Sequence, residues 1–179
     1  MFEGQKVDLK RIKTIEFWEA RRSIMMRRYK IFLLLGLLLF ILTGCSNTFA
    51  KKEYFDIDKI AETEDRYAKE SSVSNPIDNG YSLKVKKFDG RQTLWTKTLE
   101  DNENIDIEIK LSLSEGTAKI VHVDENGYVT TIMECTSDNC VDEYVVKTVS
   151  LKKGLNKIKI VGYECKNIDL ELLSSNFEE

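Results

Sequence analysis

From Ile105 to Leu113 the chain alternates without interruption. Ile105, Ile107, Ile109, Leu111 and Leu113 interleave with Asp106, Glu108, Lys110 and Ser112. A period of two is that of a β-strand with one buried and one wet face. Shorter segments around it repeat the pattern. YSLKVKKF (81–88) and RQTLWTKTL (91–99) flank Asp89-Gly90, a dipeptide suited to a tight hairpin turn. AKIVHVD, GYVTTIMEC, VDEYVVKTVSL and LNKIKIVG follow, separated by Ser114-Glu115-Gly116, Asp124–Gly127, TSDN and Lys152-Lys153-Gly154. A loop around Glu164–Asn167 leads to a last strand, where Ile168, Leu170 and Leu172 alternate with Asp169 and Glu171.

Eight short strands spaced by roughly ten residues, with turn chemistry between them, predict an all-β fold. The expectation is a single antiparallel β-sandwich of about eight strands over 81–174, jelly-roll-like, with a small barrel as the alternative. Residues 45–80 read as a polar tether, a flexible spacer holding the domain off the membrane, with a partly helical segment as the alternative. IDKIAETEDRYAKE carries a weak helical period through Ile57, Ile60, Tyr67 and Ala68, and SSVSNPIDNG breaks it at Pro76 and Gly80.

The N-terminal portion differs in kind. Arg27, Arg28 and Lys30 precede an uncharged apolar run, Ile31 to Leu42, of twelve residues. As a helix this run reaches only roughly 18 Å, too short for the hydrocarbon core, and it fits the h-region of a signal peptide over 25–44. It stops at Leu42-Thr43-Gly44-Cys45, which resembles the lipobox of bacterial lipoproteins. That resemblance implies a diacylglyceryl group on Cys45, cleavage between Gly44 and Cys45, and an extracytoplasmic, membrane-anchored protein. Two acyl chains hold a protein stably, where one holds it only reversibly. Residues 1–24 contain Glu3, Asp8, Glu16 and Glu19, unlike a secretory n-region, and Met25-Met26 stand just before Arg27. They read as an over-extended N-terminus, or else as a cytoplasmic extension removed with the leader.

The part from Cys45 onward has 18 Lys and Arg against 26 Asp and Glu, a net charge of −8. Such a domain is not drawn to nucleic acid by charge. A second similarity rests on the strand pattern and on KKG-x-N-x-I-x-I-x-G (152–162), and it is to small solo β-sandwich domains of Gram-positive surface lipoproteins. It implies a fold and no ligand.

Candidate chemistry is sparse. Cys135 and Cys140 flank a four-residue loop and could bridge across a hairpin, leaving Cys165; pairing of Cys165 with either stays open. His122, the one histidine, lies between Val121 and Val123 as a half-exposed strand residue, and no G-x-S-x-G is present. Asp106 with Glu108, and Asp169 with Glu171, share strand faces, but their regular place opposite apolar residues marks them as solvated. Asp124, Glu125 and Asn126 read as a turn in preference to a Ca²⁺ site. Trp95 with Tyr81, Tyr128 and Tyr144 could build an aromatic platform for a sugar, although a single Trp on a strand reads more simply as core. No catalytic residue, metal or cofactor is expected. The function expected is a non-enzymatic binding or interaction module on a lipid anchor, whose partner is an envelope protein, a peptide or a glycan. The alternatives are a carbohydrate-binding module and an immunity lipoprotein that sequesters a toxic peptide or enzyme.

Overall fold

The computed structural model describes residues 46–140 and 142–177. The leader, the lipobox and Cys45 lie outside the described residues. In chain order the elements are α1 (Ser46–Phe55), α2 (Ile57–Ala61), β1 (Arg66–Ile77), β2 (Gly80–Leu99), β3 (Glu103–Ser112), β4 (Glu115–Val123), β5 (Val129–Thr136), β6 (Val145–Leu151), β7 (Gly154–Leu173) and a 3₁₀ turn at Ser175–Phe177.

All pairings are antiparallel, along the path β1-β2-β7-β3-β6, with β4 on β7 and β5 on β4. Two strands of 20 residues organise the rest. On one side β7 pairs with β2 along its length. On its other side residues 157–166 face β4 and residues 169–173 face β3. The β2/β7 ribbon therefore belongs to two layers. One contains β1, β3, β6, the first half of β2 and the second half of β7. The other contains β4, β5 and the opposite halves.

The ribbon turns the corner through register shifts at Phe88/Gly90 and Thr93/Trp95, and through left-handed backbone at Glu164 (φ 53°) and Asn167 (φ 50°). Asn167 also resets the alternation, which puts both Cys165 and Ile168 inside. Gly90 (φ 106°) is required for approach as well as conformation, since a Cβ there would lie 2.2 Å from the Arg66 carbonyl oxygen.

The two layers face each other across one core. Ile105, Ile107, Ile109 and Leu111 of β3 join Leu83, Val85, Phe88, Ile168, Leu170, Leu172, Val149 and Leu151, and meet Ala118, Ile120, Cys135, Ile158 and Ile160 of the second layer. This is the all-β antiparallel sandwich that the alternation predicts, with different strand boundaries. The Asp89-Gly90 hairpin is not formed, because Gly90 sits in a bulge of one continuous strand. The loop at 164–167 is likewise a bend inside β7. Two expected pairs of strands thus merge, β1 is added, and seven strands result.

The tether over 45–80 also needs correction, for its described part, from Ser46, is folded and contributes two helices and β1. β1 is exposed on both faces except at its end, so it shows no apolar period and is held by backbone pairing to β2. The helices cover the outer face of the second layer, where Tyr54 and Ile60 bury Val121, Val123 and Val161. Around Val121, Val123 and Val161 that layer is dry on both faces, which is why β4 reads Ile120-Val121 rather than apolar-polar.

A charged cluster locks α1 and α2 down. Arg91 (1% exposed) pairs with the buried Glu53 of α1 and with Glu62. Its Nε donates to the Glu64 carbonyl at 3.3 Å. Buried Lys159 donates to the carbonyls of Ile60 at 3.1 Å and Glu62 at 2.5 Å. Burial lowers the Lys159 pKa from 10.5 to about 8. Asp56 caps α2 by accepting from the N–H groups of Asp58 and Lys59.

Candidate functional site

The four aromatics of the candidate platform do not assemble. Trp95 packs against the core and against Phe177, with ring centroids 4.7 Å apart. Tyr81 packs against the core, and its hydroxyl accepts from Gln92 Nε2 at 3.5 Å. Tyr128 stands exposed beside the β4–β5 turn, and Tyr144, also exposed, donates to Glu171. Among the described residues no two of the four form an aromatic pair.

Cys135 and Cys140 are bridged, with Cα atoms 5.0 Å apart, and Cys165 is free and buried. The Cys165 Sγ donates to the Thr117 carbonyl at 2.9 Å, and burial pushes its thiol up to about 12. Asp106 and Glu108 are exposed, and Asp106 accepts from the Thr148 hydroxyl at 2.7 Å. Asp169 holds Lys84 at 2.6 Å. Asp124 accepts from the N–H groups of Asn126 and Tyr128, both at 2.9 Å, so it shapes the turn. Among the described residues no group of three or more His, Cys, Asp or Glu is placed to hold a metal ion.

A polar groove forms at the open side of the sandwich. β5 pairs only with β4, and β6 only with β3, so both are edges. Between them lies a groove of about 390 Å³ lined by His122, Thr130, Thr131, Lys147, Lys152 and neighbouring residues of β5 and β6. Directly opposed residues in an antiparallel pair share a face. Lys147 is opposite Ile107, while His122 is opposite both Ile158 and Thr130. All three polar residues therefore belong to the inner faces, in register with core isoleucines.

His122 is only 4% exposed, which corrects its expected half-exposed place. Its Nε2 is 2.8 Å from Asn156 Oδ1. Asn156 is itself buried and fully oriented. Its Nδ2 donates to the carbonyls of Lys152 (2.6 Å) and Gly154 (2.9 Å), and its Oδ1 accepts from the Lys152 N–H (2.9 Å). Oδ1 can only accept, so the hydrogen-bonded form of the ring carries its proton on Nε2 and leaves Nδ1 as the uncommitted nitrogen.

The sequence does hold a signal for this site. Lys147 interrupts the inward series Val145, Val149, Leu151, and His122 follows Ala118 and Ile120 at the next inward position. Both breaks become legible only once register identifies the inner face.

No family model matches the sequence, and no curated protein matches it. Among solved structures, the chain is similar to one described as "Carbohydrate binding module family29", at a TM-score of 0.36 and 9% identity, over 63% of this chain and 76% of that one. A variant of such a module complexed with mannohexaose gives a TM-score of 0.37 and 12% identity, over 65% and 88%. The fold described here rests on the strand pairing of this chain itself.

Proposed function

We propose that the protein is a lipid-anchored extracytoplasmic binding module that holds a hydroxylated ligand, such as a glycan, in the groove between β5 and β6. The observation that carries the reading is the set of inward-facing polar residues His122, Thr130 and Lys147 at the open side of an otherwise apolar interior. An inward charge on an edge strand also guards against strand pairing, which accounts for Lys147. It does not account for the buried His122, which lines the same groove and whose Nε2 is engaged by Asn156 at 2.8 Å, because burying an imidazole is unfavourable unless its polar atoms are satisfied or used. The hydroxyl, amine and imidazole lining suits a polar ligand better than an apolar peptide. The anchor is supported by Leu42-Thr43-Gly44-Cys45 and the basic and apolar regions before it.

The test uses the full-length protein in cells of a bacterial host and in detergent. Labelled palmitate is expected on the protein and absent from Cys45→Ala. The detergent-solubilised protein is expected to sediment with isolated cell-wall sacculi carrying their attached polymers. Thr130→Tyr, which fills the groove from an exposed position, is expected to abolish that sedimentation. Undiminished sedimentation of Thr130→Tyr would sink the groove as the ligand site, and an unlabelled wild type would sink the anchor.

A further inference from the structure

We infer that the groove is an anion site, and that its ligand is an anionic glycopolymer presenting carboxylate or phosphate beside hydroxyl groups. This rests on the groove being the ligand site. Three groups able to bear positive charge, His122, Lys147 and Lys152, line it, and no Asp or Glu does. The polypeptide from Cys45 onward carries a net −8, so a lining free of carboxylates stands out against its surroundings. Asp106 does not line the groove but accepts at 2.7 Å from the hydroxyl of Thr148, which does, and Glu125 lies beside Gly154 in the β6–β7 turn.

The donors also match such a ligand. Lys147 supplies a mobile ammonium from the β6 side. His122 leaves Nδ1 without a protein partner among the described residues, available to accept from a sugar hydroxyl. The edges of β5 and β6 away from their partners add unpaired backbone N–H groups. A groove of about 390 Å³ holds a unit or two of a polymer, at the small end of ligand sites. An open groove between two edges also lets a long chain pass through.

Binding is measured with the full-length protein in uncharged detergent by calorimetry against three probes: poly(glycerol phosphate), oligogalacturonate and a neutral cello-oligosaccharide. At least one anionic probe is expected to bind, the neutral one much more weakly, and the phosphate and carboxylate arms identify which anion is preferred. Lys147→Glu is expected to weaken binding about tenfold to a hundredfold, as for loss of a charge-assisted hydrogen bond. Lys147→Ala should lose less. Lys86→Glu makes the same change in net charge at an exposed position outside the groove, and should leave affinity within about twofold. Neutral and anionic probes binding alike, or Lys86→Glu weakening binding as much as Lys147→Glu, overturns the anion site. If sacculus binding is still lost in Thr130→Tyr, the groove stands with a neutral ligand; if it is not, both readings fall.

Discussion

Arg91→Ala is the sharpest perturbation of the fold. Arg91 is 1% exposed and neutralises Glu53, which is equally buried in the last turn of α1. Glu62, its second partner, is at the surface and loses little when unpaired. The cost therefore comes from leaving the buried Glu53 carboxylate with only the longer, largely exposed Arg66 contact at 3.8 Å, about 3–5 kcal/mol at most. For a domain of this size each kcal/mol moves Tm by roughly 3–5 °C, so the expected drop is about 10–20 °C. Adding Glu53→Gln removes the orphaned charge, and the double variant should recover about half of the loss. Thermal and urea unfolding followed by circular dichroism read both values. A dye that binds apolar surface should also report Val121, Val123 and Val161 as the helices loosen. An Arg91→Ala protein within about 1 kcal/mol of wild type, or a double variant as unstable as the two single changes added together, refutes the argument.

Two further outcomes follow from buried titratable groups. The Lys159 pKa falls from 10.5 unfolded to about 8 folded, so between those values the unfolded chain binds more protons and stability attributable to this group rises with pH. Relative to Lys159→Met, the wild type should gain on the order of 2–3 kcal/mol from pH 8 to 10.5 in urea unfolding, and a flat difference would refute the burial of a charge there. Cys165, with its thiol pushed up to about 12 and its sulfur buried, should resist iodoacetamide at pH 8 in the native protein. It should be alkylated once in urea without reductant, and mass spectrometry of a Cys45→Ala protein showing three alkylated cysteines there would rule out the Cys135–Cys140 bridge.

The legibility of this chain follows burial. The run from Ile105 to Leu113 was readable because β3 has one face on the core and one in water, and alternation records that asymmetry. β1 was not, because a strand exposed on both faces leaves no periodic trace and is specified by the backbone of β2. Asp89-Gly90 misled for a different reason: a glycine needed for a left-handed residue serves a bulge as well as a turn, and only the approach to Arg66 tells them apart. Ile57 and Ile60 gave a true helical hint, yet α2 ends at Ala61, and the following acidic residues supply Glu62 to Arg91. The groove was hidden because a histidine between two valines means different things on an inner and an outer face. Assigning the face requires the β4–β7 register, which no local pattern contains.

The shared ribbon of β2 and β7 has an evolutionary corollary. Since the same two strands run through both layers, β5 and β6 are carried on opposite sides of the bend at Glu164 and Asn167, residues that do not line the gap between them. Jaw width and jaw chemistry are thus encoded in separate places. A lineage could retune the girth of what it grips by drift at the bend while every lining residue stays unchanged.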